Sequence, residues 1–578
     1  MAGGLLQLAA YGSQNQYLNG NPQMTFFKVV YRRYSNFAME YIRQNVQGPN
    51  ELQMDSEIKL TCKIDRNADL IKDIYFVFTI PDIYSGYDDN LVNILTEKYG
   101  IGVDYEKSLY KFKWIKNLGT TIIKEISITI GGIKIDRQYG EWLHVWSELN
   151  IDSNKIDSYN QMIGNIPELY NPEFSQGNNG FYPTSSLNPN QNIDFLSPET
   201  INNNSVPNVY KNPFYRKASI DGRKLYVPIP FWFCGNSGLS LPLIALQYHE
   251  VVLHIELRPI TDLYTIIETN IESPEFGLRV KPNSLRKDQN ISNFITSKKK
   301  WGVDELQNSD INIEEDDANL FLENKNNVYN YQNENNFNGW GFSPYFLINF
   351  IFLDKNEREK FAETTHEYLI EQVQTKQYKG VLGSKVLDLI IHHPVKQIIW
   401  TTQRSDVDSR NDWSNYSNWI YENIPPSSKI FKNINEYVPE NEFNLSMIPN
   451  KNNNIYHKKD ILKNARILFD GHPLFAKEEE AFFNLIQPFQ YNTRTPKNGI
   501  YVYSFSLDNE GYQPTGSCNM SRIKKIQLDI ETQPVLPSEN SFNNESLRFK
   551  YNYNINVYSI NYNILRIMAG MGGLVFSN

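Results

Sequence analysis

Apolar and polar residues alternate along much of this chain with the period of a β-strand. In Glu57–Asp65, Ile58, Leu60, Cys62 and Ile64 fall on one face and Lys59, Thr61 and Lys63 on the other, predicting a half-buried strand. Ile74–Ile80 is continuously apolar, as in a strand covered on both faces, and Pro81 ends it. Ile126, Ile128 and Ile130 lead into Gly131-Gly132 and then Ile133 and Ile135, a hairpin whose turn needs the positive φ that glycine supplies. Beyond it, Trp142, Val145, Trp146 and Leu149 recur at helical spacing, predicting a short amphipathic helix packed on the sheet. Residues 150–220 are rich in Asn, Pro, Ser and Gly and read as long surface excursions. Order returns at Leu225–Phe233, and Val251, Leu253, Ile255 and Leu257 alternate through a further strand. Upstream, Gly20-Asn21-Pro22 signals a turn, and the β-branched and aromatic run Thr25–Tyr31 reads as a strand entered from it.

The second half restates this pattern. Residues 260–343 are the most polar part, with Lys298–Lys300 and Glu314–Asp317, and read as an inter-domain linker carrying an insertion. Phe346–Leu353 then predicts a buried strand, and Asp354-x-x-Glu357 a capping box. Phe361-Ala362 leads to Glu367–Gln372, which echoes Phe37–Gln44, and Ile467–Phe475 followed by Phe482, Leu485 and Ile486 echoes the Gly131-Gly132 hairpin and its helix. Ile500–Ile530 echoes Leu225–Leu257, and Tyr551, Tyr553, Ile555 and Val557 open a last strand that runs into a glycine-rich apolar tail. Three matched modules in one order predict tandem copies of one all-β fold. The expected division is an N-terminal arm at 1–24, a first domain at 25–259, the linker at 260–343 and a second domain at 344–578.

Composition narrows the function. The chain is 40% hydrophobic and 13% aromatic, ample for two sizeable cores, and its net charge of −9 argues against a protein built to grip a phosphate backbone. Three cysteines in 578 residues make no disulfide framework and point to a reducing compartment. The first ten residues lack the basic and apolar regions of a secretory leader, and no run reaches the roughly 18 apolar residues of a spanning helix. A soluble, intracellular protein is expected.

The stretch Gly20–Glu40 resembles the N-terminal signature of the major capsid proteins of nucleocytoplasmic large DNA viruses. So do Leu241–Val251, His366–Gln372, Gln513–Ile523 and Asn561–Gly573, in the same order. That resemblance implies a double jelly roll, two eight-stranded sandwiches per chain, and a homotrimer of pseudo-hexagonal outline that tiles an icosahedral shell. It further implies contacts with neighbouring capsomers, with minor capsid and penton proteins and with an internal viral membrane, and assembly in the host cytoplasm. No direct nucleic-acid binding is expected. A carbohydrate- or receptor-binding β-sandwich is the alternative, because lectins share the architecture.

Catalytic, cofactor and metal sites are expected to be none. His249 and His254 stand five apart, whereas a zinc-protease helix needs ligands at i and i+4; His392-His393 precedes a proline and reads as structural. No nucleophile elbow, phosphate-cradling loop or dinucleotide fingerprint occurs. Lys298–Lys300 and Glu314–Asp317 read as solvated patches. Asn-x-Ser sequons at Asn203, Asn290, Asn415, Asn444, Asn519 and Asn544 do not by themselves indicate glycosylation in so Asn-rich a chain. The apolar ends, Met1–Gly12 and Ile567–Leu574, read as terminal strands or as an inner-face arm.

Overall fold

The computed structural model describes residues 3–10, 21–29, 31–83, 112–172, 220–267, 279–285, 339–419, 459–535 and 551–576, with single positions at 13, 15 and 291. Sixteen main strands carry the architecture. In the first half they are β1 (Phe37–Asn45), β2 (Ile58–Lys63), β3 (Leu70–Ile80), β4 (Ile123–Ile130), β5 (Ile133–Tyr139), β6 (Arg223–Pro228), β7 (Val251–Leu257) and β8 (Tyr345–Leu353). In the second they are β9 (His366–Val381), β10 (Ser384–Leu389), β11 (Pro394–Arg404), β12 (Leu462–Phe469), β13 (His472–Pro473), β14 (Ile500–Ser504), β15 (Ile526–Thr532) and β16 (Tyr553–Met568).

Each set of eight folds into two antiparallel sheets. The first pairs β1-β8-β3-β6 and β2-β7-β4-β5; the second pairs β9-β16-β11-β14 and β10-β15-β12-β13. Both halves thus have the strand order of a jelly roll, in which the first and last strands lie side by side. The predicted alternation faces inward as expected. Ile58, Leu60 and Cys62, Ile126, Ile128 and Ile130, and Leu253, Ile255 and Leu257 meet Ile74, Phe76 and Phe78 and Phe346, Ile348 and Phe350 in one core. In the second roll, Leu387, Ala465, Ile467, Leu528 and Ile530 meet Ile398, Trp400, Tyr501, Ile555 and Val557. Each large side chain buried this way stabilises the fold by about 1.5–3 kcal/mol. The hairpin turns match as well: Gly131 and Gly132 have φ of 57° and 81°, and Asp470 and Gly471 have 50° and 85°.

Several expectations are corrected. Tyr345–Leu353, assigned to the second domain, closes the first roll, because β8 pairs with both β1 and β3. A jelly roll is complete only when its eighth strand enters between the first and third, so the domain limit lies after Leu353. Part of the supposed linker belongs to the first roll too: Tyr264–Ile267 pairs with Lys113–Trp114 and Arg279–Val280, and Gly339–Gly341 with Glu51–Gln53. Ile260, Leu263, Tyr264, Trp340 and Phe342 are buried in the first core. The described residues of Thr25–Tyr31 form no strand, and Phe26 and Phe27 are almost fully exposed. The run's propensity is satisfied only where a partner strand offers hydrogen bonds, and β1, starting at Phe37, already edges the sheet. Asp354 does cap the helix Lys355–Glu363 by position, yet no side-chain cap bond forms. The 150–220 region begins with two helices, Ile156–Ile163 and Pro167–Tyr170, whose Tyr159, Ile163 and Leu169 are buried; residues 173–219 lie outside the described set.

Ile128→Asp should abolish soluble folded protein, since Ile128 is fully buried and an unpaired carboxylate there costs several kcal/mol. Ile133→Asp, at the exposed side of the same hairpin, should be tolerated. Expression and thermal melts of both variants check the assignment of faces, which fails should the two behave alike.

Candidate functional site

The functional geometry of this chain lies in how its two sandwiches meet. The helix Gly140–Asn150 forms because Trp142, Val145, Trp146 and Leu149 share a stripe, and it is placed by the turn out of β5. It buries Leu143 in the first core. Its other side packs onto the outer face of the second roll, where Trp142, Val145 and Leu149 join Ile399, Ile500, Val502, Tyr558 and Ile560 in one cluster. The rings of Trp142 and Tyr558 lie 5.3 Å apart, tilted by 41°. The helix predicted to pack on its own sheet therefore bridges two domains.

Polar contacts rim this seam. Asn556 Nδ2 donates to Glu141 Oε2 at 2.8 Å, and Arg494 donates from Nη2 to Glu148 Oε2 at 2.9 Å and from Nε to the Glu148 carbonyl at 3.0 Å. Trp413 Nε1 donates to the Asp262 carbonyl at 2.9 Å, with the Arg258 guanidinium 4.2 Å over its ring. Gln372 of β9 donates to the carbonyl of Ile135, and Asn563 Nδ2 donates to Gln372 Oε1 at 3.0 Å. Asp136, beside them, is fully buried; desolvation pushes its carboxyl up to about 6, against the backbone N–H groups of Arg137 and Val373 that favour the charged form. In the second roll the balance is reversed at Asp406: burial would raise its carboxyl, yet the guanidiniums of Arg410 and Arg404, at 2.5 and 2.7 Å, hold it down at about 2.

The C-terminal tail completes the seam. Met571–Leu574 turns back on β16, and Leu565, Ile567 and Leu574 pack into the first core. His249 Nδ1 lies 3.2 Å from the backbone N of Gly572 and 3.1 Å from its carbonyl. A side chain at Gly570, where φ is 80°, would lie 2.5 Å from the Tyr248 ring, so the glycines are required by close approach to the first roll. The C-terminal end thus reads as a packed strand, whereas the N-terminal Gly3–Ala9 is a helix whose Leu5, Leu6 and Leu8 are exposed.

The remaining candidate residues are not brought together. His249 precedes β7 while His254 lies on it, 3.2 Å from Thr129 Oγ1. His393 sits in a left-handed turn with its backbone N donating to Ser521 Oγ at 2.8 Å. Asn415 is buried, its Nδ2 donating to Asp412 Oδ2 and to the Trp419 carbonyl, which leaves no room for a glycan; Asn519 is exposed and caps a turn through Ser521 N. Lys298–Lys300, Glu314–Asp317, Asn203, Asn290, Asn444 and Asn544 lie outside the described residues. Cys62, Cys234 and Cys518 are free thiols, and burial pushes Cys62 up to about 12 and the other two upward. Among the described residues no group of His, Cys, Asp or Glu could hold a metal ion, and no helix is long and apolar enough to cross a membrane. The seam itself was not legible in the sequence, although the outward position of Ile399, Val502 and Tyr558, apolar on the side opposite the core, was its signal.

Two eight-stranded jelly rolls locked into one body place this chain in the double jelly-roll class of structural proteins. Comparison with known proteins narrows the class. A profile of the major capsid protein N-terminus matches residues 25–278, and one of the large eukaryotic DNA virus major capsid protein matches residues 357–573. The major capsid protein of Phaeocystis pouchetii virus is 29% identical over 631 aligned residues, covering 100% of both chains, and probable capsid protein 4 of Acanthamoeba polyphaga mimivirus is 29% identical over 626, again covering 100% of both. Among solved structures, the PBCV-1 virus capsid shares the fold with a TM-score of 0.57 and 23% identity, over 96% of this chain and 100% of that one. The chain belongs to the family of large eukaryotic DNA virus major capsid proteins, which are structural constituents of the virion capsid and not enzymes.

The seam makes stability depend on pH in a definite direction. Because Asp136 is raised from 3.8 to about 6 in the folded chain, the protonated form is favoured there. Its contribution is fully present below about pH 4 and is lost as pH rises through about 6. Asp136→Asn should therefore raise the melting temperature at neutral pH, by an amount worth at most about 3 kcal/mol, and the gain should shrink toward zero near pH 4. Thermal melts of both proteins at the two pH values check this; an equal difference at both refutes it.

Proposed function

We propose that this chain is the repeating unit of an icosahedral shell and works as a homotrimer of pseudo-hexagonal outline. The observation that carries this reading is that two rolls with the same strand order sit side by side through a buried interface within one chain. Three such chains present six similar walls, a shape that tiles a surface. Exposed polar positions on the loops between strands can then vary without disturbing the walls.

Around the trimer, the natural contacts are neighbouring capsomers and the minor capsid and penton proteins that join them. The N-terminal segment, with Leu5, Leu6 and Leu8 exposed, is suited to an apolar surface on the inner side of the shell, a minor protein or the internal membrane. Free, protonated thiols fit assembly in the reducing host cytoplasm. A net charge of −9 does not suit direct contact with the genome.

Light scattering on a size-exclusion column should give three times the chain mass of 67.4 kDa, and negative-stain images of that peak should show six-lobed particles. A monodisperse monomer that binds glycans would replace this reading with that of a carbohydrate-binding sandwich.

A further inference from the structure

The seam within the chain has an unpaired counterpart on each of its two sides. In the first roll, Val145, Trp146 and Leu149 face the second roll while Leu143 fills the first core. In the second roll, the hairpin at Asp470-Gly471 is followed by a helix that runs through a π turn, Phe482–Ile486, into Gln487–Tyr491. Its Phe483 fills the second core. Leu485, Ile486 and Phe489 repeat the spacing of Val145, Trp146 and Leu149 at a constant 340 residues further on. These three side chains are 51%, 47% and 81% exposed and line a shallow apolar groove with Gln490 and Thr495. The same helical stripe that is seated on a sheet in the first copy is bare in the second.

The matching seat is open along its β1 edge, while Val77 within it is fully buried and Tyr75, Tyr226 and Leu347 are half-buried. Within the chain, the first helix rests on the outer face of the sheet β9-β16-β11-β14, where Ile399 is opposite both Val502 and Tyr558. The equivalent sheet of the first roll is β1-β8-β3-β6, in the same order. On its outer face Tyr75 is opposite both Pro228 and Leu347, and Val77 is opposite both Tyr226 and Tyr345. Tyr41 adds its ring 6.4 Å from Tyr75, and it is 50% exposed, as Met39 is 56%. This aromatic sheet face carries Arg43 and Lys224 at its rim and one acidic group, Asp73, beside Tyr75, and the helix opposite is preceded by Glu478, Glu479 and Glu480.

We propose that the face formed by Leu485, Ile486 and Phe489 docks on the Tyr75–Tyr226–Leu347 face of a second copy of this chain, repeating between chains the seam that joins the rolls within one. The contact is heterologous: each copy offers a helix to one neighbour and a sheet to the other, so the assembly closes as a ring of alternating first and second rolls. This rests on the trimer reading above and assigns its surfaces.

Two variants separate the halves of the contact. Ile486→Asp with Phe489→Asp disables the helix, and Tyr41→Asp with Tyr226→Asp disables the sheet. Each alone should keep the wild-type circular dichroism and run as a monomer. Mixed, they retain one intact helix and one intact sheet between them, so they should form a two-chain complex and nothing larger. Phe489→Ala removes only exposed atoms and leaves the fold untouched; it should raise the concentration of half-assembly at least about tenfold. Should wild type form trimers while the helix variants and Phe489→Ala assemble like it, this assignment falls and the trimer stands. Should folded single variants be monomeric but fail to combine when mixed, the contact is not helix to sheet and the assignment falls. A wild-type chain that stays monomeric defeats both.

Discussion

A β-sandwich hides one face of each sheet in its core and leaves the other to find cover or remain polar. The structure depends on how one such outer face is covered. Ile399, Val502 and Tyr558 are apolar on the side of their strands turned away from the second core, and the helix Gly140–Asn150 seals them with Trp142, Val145 and Leu149. Burial of this size makes a domain pair into one rigid block, since inter-domain contacts that are small and polar permit motion. For a shell subunit rigidity is the function: a wall that hinged between its rolls would not hold a lattice angle.

Around that apolar contact the seam is unusually polar. Gln372, Asn561 and Asn563 form a buried amide ladder, and Asp136 lies among them with its carboxyl raised toward neutrality. A greasy seam tolerates sliding by one residue. Directional hydrogen bonds do not, because any shift leaves a buried amide unpaired at a cost of about 1–3 kcal/mol. Apolar area supplies the strength of the joint and the amides fix its register. The tail acts in the same sense: Gly570 and Gly572 press so close to Tyr248, Leu246 and Ile130 that only one seating of β16 on the first roll fits.

The strands whose residues alternate were legible because period and face are local properties; Ile126, Ile128 and Ile130 point inward whatever lies beyond them. What escaped was partnership. Thr25–Tyr31 has the composition of a strand, yet its described residues pair with no neighbour, while Phe346–Leu353 is legible as a strand but not as part of the first roll, because its partners Phe37–Asn45 and Leu70–Ile80 lie some three hundred residues earlier. The polar run before it looked like a boundary, and composition cannot distinguish a linker from an insertion inside a domain. For the same reason the helix Gly140–Asn150 was predicted but its target was not: an amphipathic stripe states that something apolar will be covered, not which sheet.

Pseudo-symmetry also explains where the chain tolerates added length. Strands in each sheet pair antiparallel, so direction alternates along the roll and every connection that follows an odd-numbered strand leaves from one end. The four longest connections all do so: β3 to β4, β5 to β6 and β7 to β8 in the first roll and β11 to β12 in the second. The connections at the opposite end include the two-residue hairpins at Gly131-Gly132 and Asp470-Gly471. Closing a longer loop adds only about 0.6 kcal/mol per doubling of length, so insertion at the permissive end leaves stability nearly unchanged. Insertion at the hairpin end would push against the seam, where Gly131 already abuts His249. One end of the double roll is therefore free to change its sequence and length, while the other, and the walls between, are held by packing.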